Sequence, residues 1–206
     1  LFNPQMKSAY NFVPGIMGLI FILVCAMMTS ISIVREKEVG TMEVLLVSPV
    51  RPVKIVFAKM IPYFVISFVI LVMILLLSYY LLDVPMSGGV WGIFSLSLLY
   101  LLLSLSLGLL VSTIAQTQTT ALLISGMVMI MPMLLLSGML FPIENMPKFF
   151  EVLSNIVPAR WYIDAIRKMM IQGVPLMAVW KDCVILLGMT IALLGMSLIN
   201  FNDKLE

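Results

Sequence analysis

Residues 13–34 carry no charged side chain. As an α-helix this run is about 33 Å long, enough to cross the hydrocarbon core of a bilayer. Four more uncharged apolar runs follow, at 60–82, 93–115, 119–141 and 183–201. Within a bilayer every backbone N–H and C=O must find a partner inside the protein, and over runs of this length a helix provides it. The expected fold is therefore an all-α integral membrane protein with five transmembrane helices, residues 1–206 forming one transmembrane domain. Composition agrees. The chain is 62% hydrophobic and only 11% charged, against about 25% charged in soluble domains. Its mean hydropathy is +1.16.

Several function classes are weakened by what the sequence lacks. There is no histidine, the commonest metal ligand and pH switch. Cys25 and Cys183 form neither a metal pattern nor a disulfide framework. None of the five runs contains Asp, Glu, Lys or Arg, the groups on which proton relays and charge-lined channels depend. No GxxxxGK[ST], HExxH or GxSxG sequence occurs. The chain is expected to hold no cofactor or metal and to catalyse no reaction. A net charge of +2 gives no argument for nucleic acid. The start at Leu1, without a basic leader or cleavage site, reads as a piece of a longer protein.

The dense charge cluster lies between the first two runs. Residues 35–59 hold Arg35, Lys37, Arg51, Lys54 and Lys59 against Glu36, Glu38 and Glu43. A helix from Arg35 to Val47 would place Val39, Met42, Leu45 and Leu46 on one apolar stripe. Such a helix would lie along the membrane interface. Ser48-Pro49 would stop it, and Pro52 would delay the next helix. Before the first run, residues 1–12 read as irregular, with Pro14 in the first helical turn.

Further along, Asp83 to Gly89 reads as a turn-rich loop. Ser104, Gly108 and Ser112 recur every four residues and make a small-residue face that another helix can approach closely. Gln116 to Gln118 predicts a tight hairpin. Pro132 predicts a kink in the fourth run. Met127, Met129, Met131, Met133 and Met139 offer an adaptable apolar path, although their alternation does not put them on one helical face. Residues 142–180 are too polar to span. They predict two short helices, about Met146 to Ile156 and Ala159 to Gln172, packed against the protein. Phe149, Phe150, Trp161, Tyr162 and Trp180 would form an interfacial aromatic belt. The 12 Lys and Arg divide evenly between the two sides. Their compactness in the 35–59 loop favours a cytoplasmic location for that loop.

Val34 to Val50, VREKEVGTMEVLLVSPV, resembles the signature R-E-x-E-x-G-T-x-E-x-L-x-x-[ST]-P of permease subunits of the ABC type-2 exporter family. Arg35, Glu36, Glu38, Gly40, Thr41, Glu43, Leu45, Ser48 and Pro49 are in register. Ser137 to Pro147 resembles that family's SGxxFPxxxMP, and Pro158 to Gly173 its continuation P-x(8)-R-x(5)-G.

The resemblance implies a drug-efflux-like branch with six spans and a large external domain between the first two. This chain would supply spans two to six, and residues 1–12 the end of that domain. It implies a cytoplasmic 35–59 segment, an external re-entrant 142–180 segment marked by Pro142, Pro147, Pro158, Arg160 and Arg167, and a cytoplasmic C-terminus. For Arg160 and Arg167 a headgroup or intramolecular ion-pair role is favoured over substrate binding. It also implies a bacterial inner-membrane location, dimers with a second permease, and a partner ATP-binding-cassette ATPase that holds ATP and magnesium. Glu36, Lys37, Glu38, Gly40, Thr41 and Glu43 would contact the ATPase, while Val39, Met42, Leu45 and Leu46 anchor the helix to the bundle. The function expected is export of an apolar or amphipathic substrate. A membrane anchor that uses the same helix to bind a partner, and an ion-coupled carrier, are the alternatives.

Overall fold

The computed structural model describes residues 9–40, 52–139, 143 and 146–202. In chain order these form α1 (Ala9–Phe21), a π-helical segment (Ile22–Met27), α2 (Met28–Val39), α3 (Pro52–Tyr80), α4 (Val90–Ile114), α5 (Gln118–Leu123), a second π-helical segment (Ile124–Ile130), α6 (Met131–Leu136), α7 (Lys148–Ser154), α8 (Pro158–Gln172), a 3-10 turn (Leu176–Val179) and α9 (Trp180–Asn202). Among the described residues, five stretches are long and apolar enough to cross a membrane: Phe12–Val39, Phe57–Tyr80, Val90–Ile114, Gln118–Leu136 and Leu176–Asn200. The chain is an all-α membrane protein with five spans.

The third span is the centre. It is buried over 61% of its most apolar window, against 22% for the second and fifth spans. Its small-residue face explains why. Ser104, Gly108 and Ser112 are all buried, and a Cβ added at Gly108 would lie 2.6 Å from the carbonyl oxygen of Ala26. The first and third spans thus touch backbone to backbone, the approach that small residues permit.

The helix ends differ from the expectation in several places. The first span does not end at Arg35. Arg, Glu and Lys are good helix formers, so α2 runs on to Val39, and Pro14 lies inside α1 rather than in its first turn. Gly40 stops it, with φ +79 and its N–H bonded to the Lys37 carbonyl. This left-handed cap is open to glycine without a Cβ penalty. The helix expected from Arg35 to Val47 is thus interrupted at Gly40, and its remainder lies outside the described residues. Pro52 begins the second helix instead of delaying it, as a proline suits a first helical position. α9, the fifth span, starts early enough to include Lys181 and Asp182.

The fourth span is distorted over Ile124–Ile130, ahead of Pro132, which sits at the start of α6. That π-helical segment packs on the one in the first span. The first and fourth spans are also linked by Ser30 of α2 and Ser125, whose hydroxyls are 3.2 Å apart. Cys25 pairs with Ser67 of the second span at 2.9 Å. The methionines split between faces, Met133 being buried and Met127 and Met131 exposed.

α8 does not lie flat on the interface. Pro158 opens it, Gly173 closes it, and Ala159, Tyr162, Ile163, Ala165, Ile166, Met169 and Met170 make a buried stripe. That stripe enters the bundle against the first, third and fifth spans. Tyr162, expected in the aromatic belt, is fully buried. It stacks on Tyr100 at 4.1 Å and meets Ser97 Oγ at 3.0 Å. Phe149, Phe150 and Trp180 are exposed, as a belt requires. Tyr162→Phe should lower stability by about 1 kcal/mol, because it leaves the Ser97 hydroxyl buried without this partner. The readout is a melting temperature in detergent lower by about 2–4 °C; an unchanged value would show that the hydroxyl pair adds nothing.

Candidate functional site

The charged end of the first span is built from three consecutive residues. Successive residues of an α-helix project about 100° apart, so Glu36, Lys37 and Glu38 fan out towards three different neighbours. Glu36 forms an ion pair with Lys59 at the start of the second span. The Lys37 ammonium donates to the backbone carbonyl of Ser112, in the last turn of the third span. The Glu38 carboxylate accepts from Gln118 twice, from its backbone N–H at 3.2 Å and from Nε2 at 2.8 Å.

The signs of these charges match the helix ends they meet. The last carbonyls of a helix lack internal donors and carry partial negative charge, which suits Lys37. The first N–H groups lack acceptors and carry partial positive charge, which suits Glu38. Thr117 completes the same turn by accepting from Thr120 N–H. The tip of the first span therefore holds the near ends of the second, third and fourth spans together. Glu36 and Lys59 are 21% and 36% exposed, so the ion pair itself adds little stability. Its geometry joins the first span to the start of the second.

The other expected residues fall unevenly. Thr41, Met42, Glu43, Leu45 and Leu46 lie outside the described residues, as does Pro142. Val39 is 65% exposed and makes no anchor on the bundle described here. Lys59, Ser112 and Gln118 were not singled out as members of this site. Their signal in the sequence is weak, because each lies far along the chain from its partner. At the opposite end Pro147 precedes α7. Arg160 donates to Glu151 O at 3.0 Å and to Asn155 Oδ1 at 2.8 Å, closing the end of α7. Arg167 donates to Gly138 O at 3.2 Å. Among the described residues no cluster of His, Cys, Asp and Glu could hold a metal ion.

The sequence pattern of ABC-2 family transporter proteins matches residues 1–199. Similar proteins include a probable multidrug ABC transporter permease of Escherichia coli K12, YbhS, 30% identical over 206 residues, which is all of this chain and 54% of that protein. A second from the same organism, the probable multidrug ABC transporter permease YbhR, is 30% identical over 181 residues, 88% of this chain and 49% of that protein. ABC transporter G family member 20 of Dictyostelium discoideum is 30% identical over 204 residues, 98% of this chain and 28% of that protein. The chain spans about half the length of the bacterial relatives it matches. No solved structure matches it. A family pattern that runs almost end to end, permease relatives aligned along the chain and five apolar spans lead to one assignment: this chain belongs to the ABC-2 family of transporter proteins, as a multi-pass component of the plasma membrane.

Proposed function

We propose that this chain is the membrane subunit of an ATP-driven exporter and that the segment from Arg35 to Lys59 faces a partner ATP-binding-cassette ATPase in the cytoplasm. The observation that carries this reading is the hub of Glu36, Lys37 and Glu38, which ties one helix tip to three spans. ATP and magnesium would reside in the partner. A second permease would complete the pair, with ATP binding closing the two ATPases and tilting the tips beyond Gly40. The hub then moves the second, third and fourth spans together, and the substrate path switches sides. Spans without charged side chains in their interiors favour an apolar or amphipathic substrate.

Reconstitution tests this. The intact protein in vesicles should move an amphipathic dye only when a co-purified ATPase and ATP are both supplied. Transport that persists without the ATPase would identify an ion-coupled carrier. Stable ATPase association without any transport would leave only a membrane anchor.

A further inference from the structure

At the end of the bundle away from Gly40, a cavity of about 330 Å³ opens between the fourth span and α8, bordered by Ser137, Gly138, Glu151, Arg160, Asp164 and Arg167. Two donors on its lining lack partners among the described residues, the Oγ of Ser137 and the Nε of Arg167. Ser137 is 2% exposed. Buried donors are seldom left unpaired, so each such group calls for an explanation. An acceptor entering the cavity would supply one.

The donors favour an anion. Arg167 donates to a backbone carbonyl, and Arg160 to a carbonyl, an amide oxygen and the Ser154 hydroxyl. All of these acceptors are neutral. Among the described residues neither guanidinium has a carboxylate within 4.0 Å. Of the two carboxylates on the lining, Asp164 pairs with Lys168 at 2.7 Å, a lysine that Asp182 shares at 3.7 Å. The lining is therefore close to neutral, and its pull on an anion comes from the Ser137 hydroxyl and the Arg167 Nε–H that lack partners among the described residues. Guanidinium groups recognise anions with several oxygens through parallel N–H donors.

Beside this cavity runs an apolar cleft of about 430 Å³, lined by Met127, Met131, Leu135, Leu136, Met146 and Phe150. Leu136 and Ser137 are consecutive, as are Phe150 and Glu151, so the cleft and the polar cavity adjoin at the end of α6 and on neighbouring faces of α7. Methionine-rich surfaces adapt to varied chains.

We propose that this pair of cavities binds an anionic amphiphile, its phosphate-bearing head between Ser137, Arg160 and Arg167 and its chain along the methionine cleft. The neighbouring cleft is what favours an amphiphile over a free anion. The site stands apart from the hub at Glu36–Glu38 and holds whatever drives transport.

The test uses the intact protein, stripped of lipid in a neutral detergent. It is titrated with phosphatidylglycerol, with phosphatidylcholine of the same chains, and with inorganic phosphate, and bound lipid is read by native mass spectrometry. Phosphatidylglycerol should bind about tenfold more tightly than phosphatidylcholine. Arg167→Gln should remove that preference. Ser137→Ala should weaken phosphatidylglycerol binding several-fold while leaving the melting temperature unchanged, which separates loss of the site from loss of the fold. Inorganic phosphate should compete only at concentrations far above the lipid. Equal binding of the two lipids, or wild-type preference retained in both variants, overturns the site. Inorganic phosphate competing as well as the lipid overturns the amphiphile.

Discussion

Gly108→Leu should prevent the first and third spans from packing. A Cβ at this position would already lie 2.6 Å from the Ala26 carbonyl oxygen, 2.9 Å from its Cα and 3.0 Å from the Thr29 Cβ. The first two are backbone atoms, which cannot rotate aside as a side-chain tip would. The helices must separate, and Ser104 and Ser112, buried on the same face, would be uncovered. Gly108→Ala alone should cost about 1–3 kcal/mol, the range for overpacking a tight site. Leucine exceeds that, because its branch has no cavity to enter. Melting in detergent and the elution profile on size exclusion read the effect. Gly195→Ala is the control, since nothing lies within 4 Å of its added Cβ. A Gly108→Leu protein with the wild-type melting temperature and a single sharp peak would show that the two spans are not this close.

On the proposed export mechanism, reversing the charge at the hub should slow transport about tenfold or more while sparing the fold. Glu36→Lys sets two ammonium groups against one another where the Glu36–Lys59 pair stands. Both side chains are partly exposed, so stability should change by less than about 1 kcal/mol. Load transfer from the tip of the first span to the second span would nonetheless be lost. We expect ATP-driven transport to fall by about tenfold or more, a loss worth only ~1.4 kcal/mol at the rate-limiting step, with ATPase association retained. The double reversal Glu36→Lys with Lys59→Glu restores the pair in mirror form and should recover much of the rate. Transport that is indifferent to the single reversal would sink the hub mechanism. Failure of the double reversal to rescue would show that Glu36 acts through another contact.

The two experiments probe different parts of what the sequence displays. The close contact at Gly108 was legible as a pattern, since Ser104, Gly108 and Ser112 recur at a helical spacing. What approaches that face was not legible, because Ala26 announces nothing in a run of apolar residues. The hub shows the same division. The charge cluster after residue 34 is plain, and Gly40 is a visible stop signal inside it. Reading Arg35 as the end of the span put the boundary too early, because a charge at a membrane edge does not break a helix. The partners of Glu36, Lys37 and Glu38 lie 23, 75 and 80 residues away. Only the packing of four spans brings them to one place.

The π-helical segments at Ile22–Met27 and Ile124–Ile130 were also beyond the sequence reading. Pro132 drew attention to the fourth span, but the distortion precedes it. π-helical bonding takes a wider turn than the α-helix, and nothing in ILVCAM or ISGMVMI requires it. Tyr162 was misplaced for a related reason. A tyrosine among aromatics near a span reads as an interfacial anchor, whereas the amphipathic stripe of α8 carries it inward onto Tyr100 and Phe21.

By itself the sequence determined that this chain is a helical membrane protein of five spans, because a bilayer leaves an uncharged run of that length no other way to satisfy its backbone. It also determined where charge could gather, namely between the first and second spans and in the segment before the last. The tertiary structure alone decided that Glu36, Lys37 and Glu38 join three other spans, that α8 is driven into the bundle, and that Ser137 and Arg167 border a polar cavity with donors to spare. These depend on contacts between residues far apart in the chain. Hydrophobic patterning sets which segments enter the membrane, but the side-chain shapes and helix-end dipoles that choose partners act only once the spans are packed.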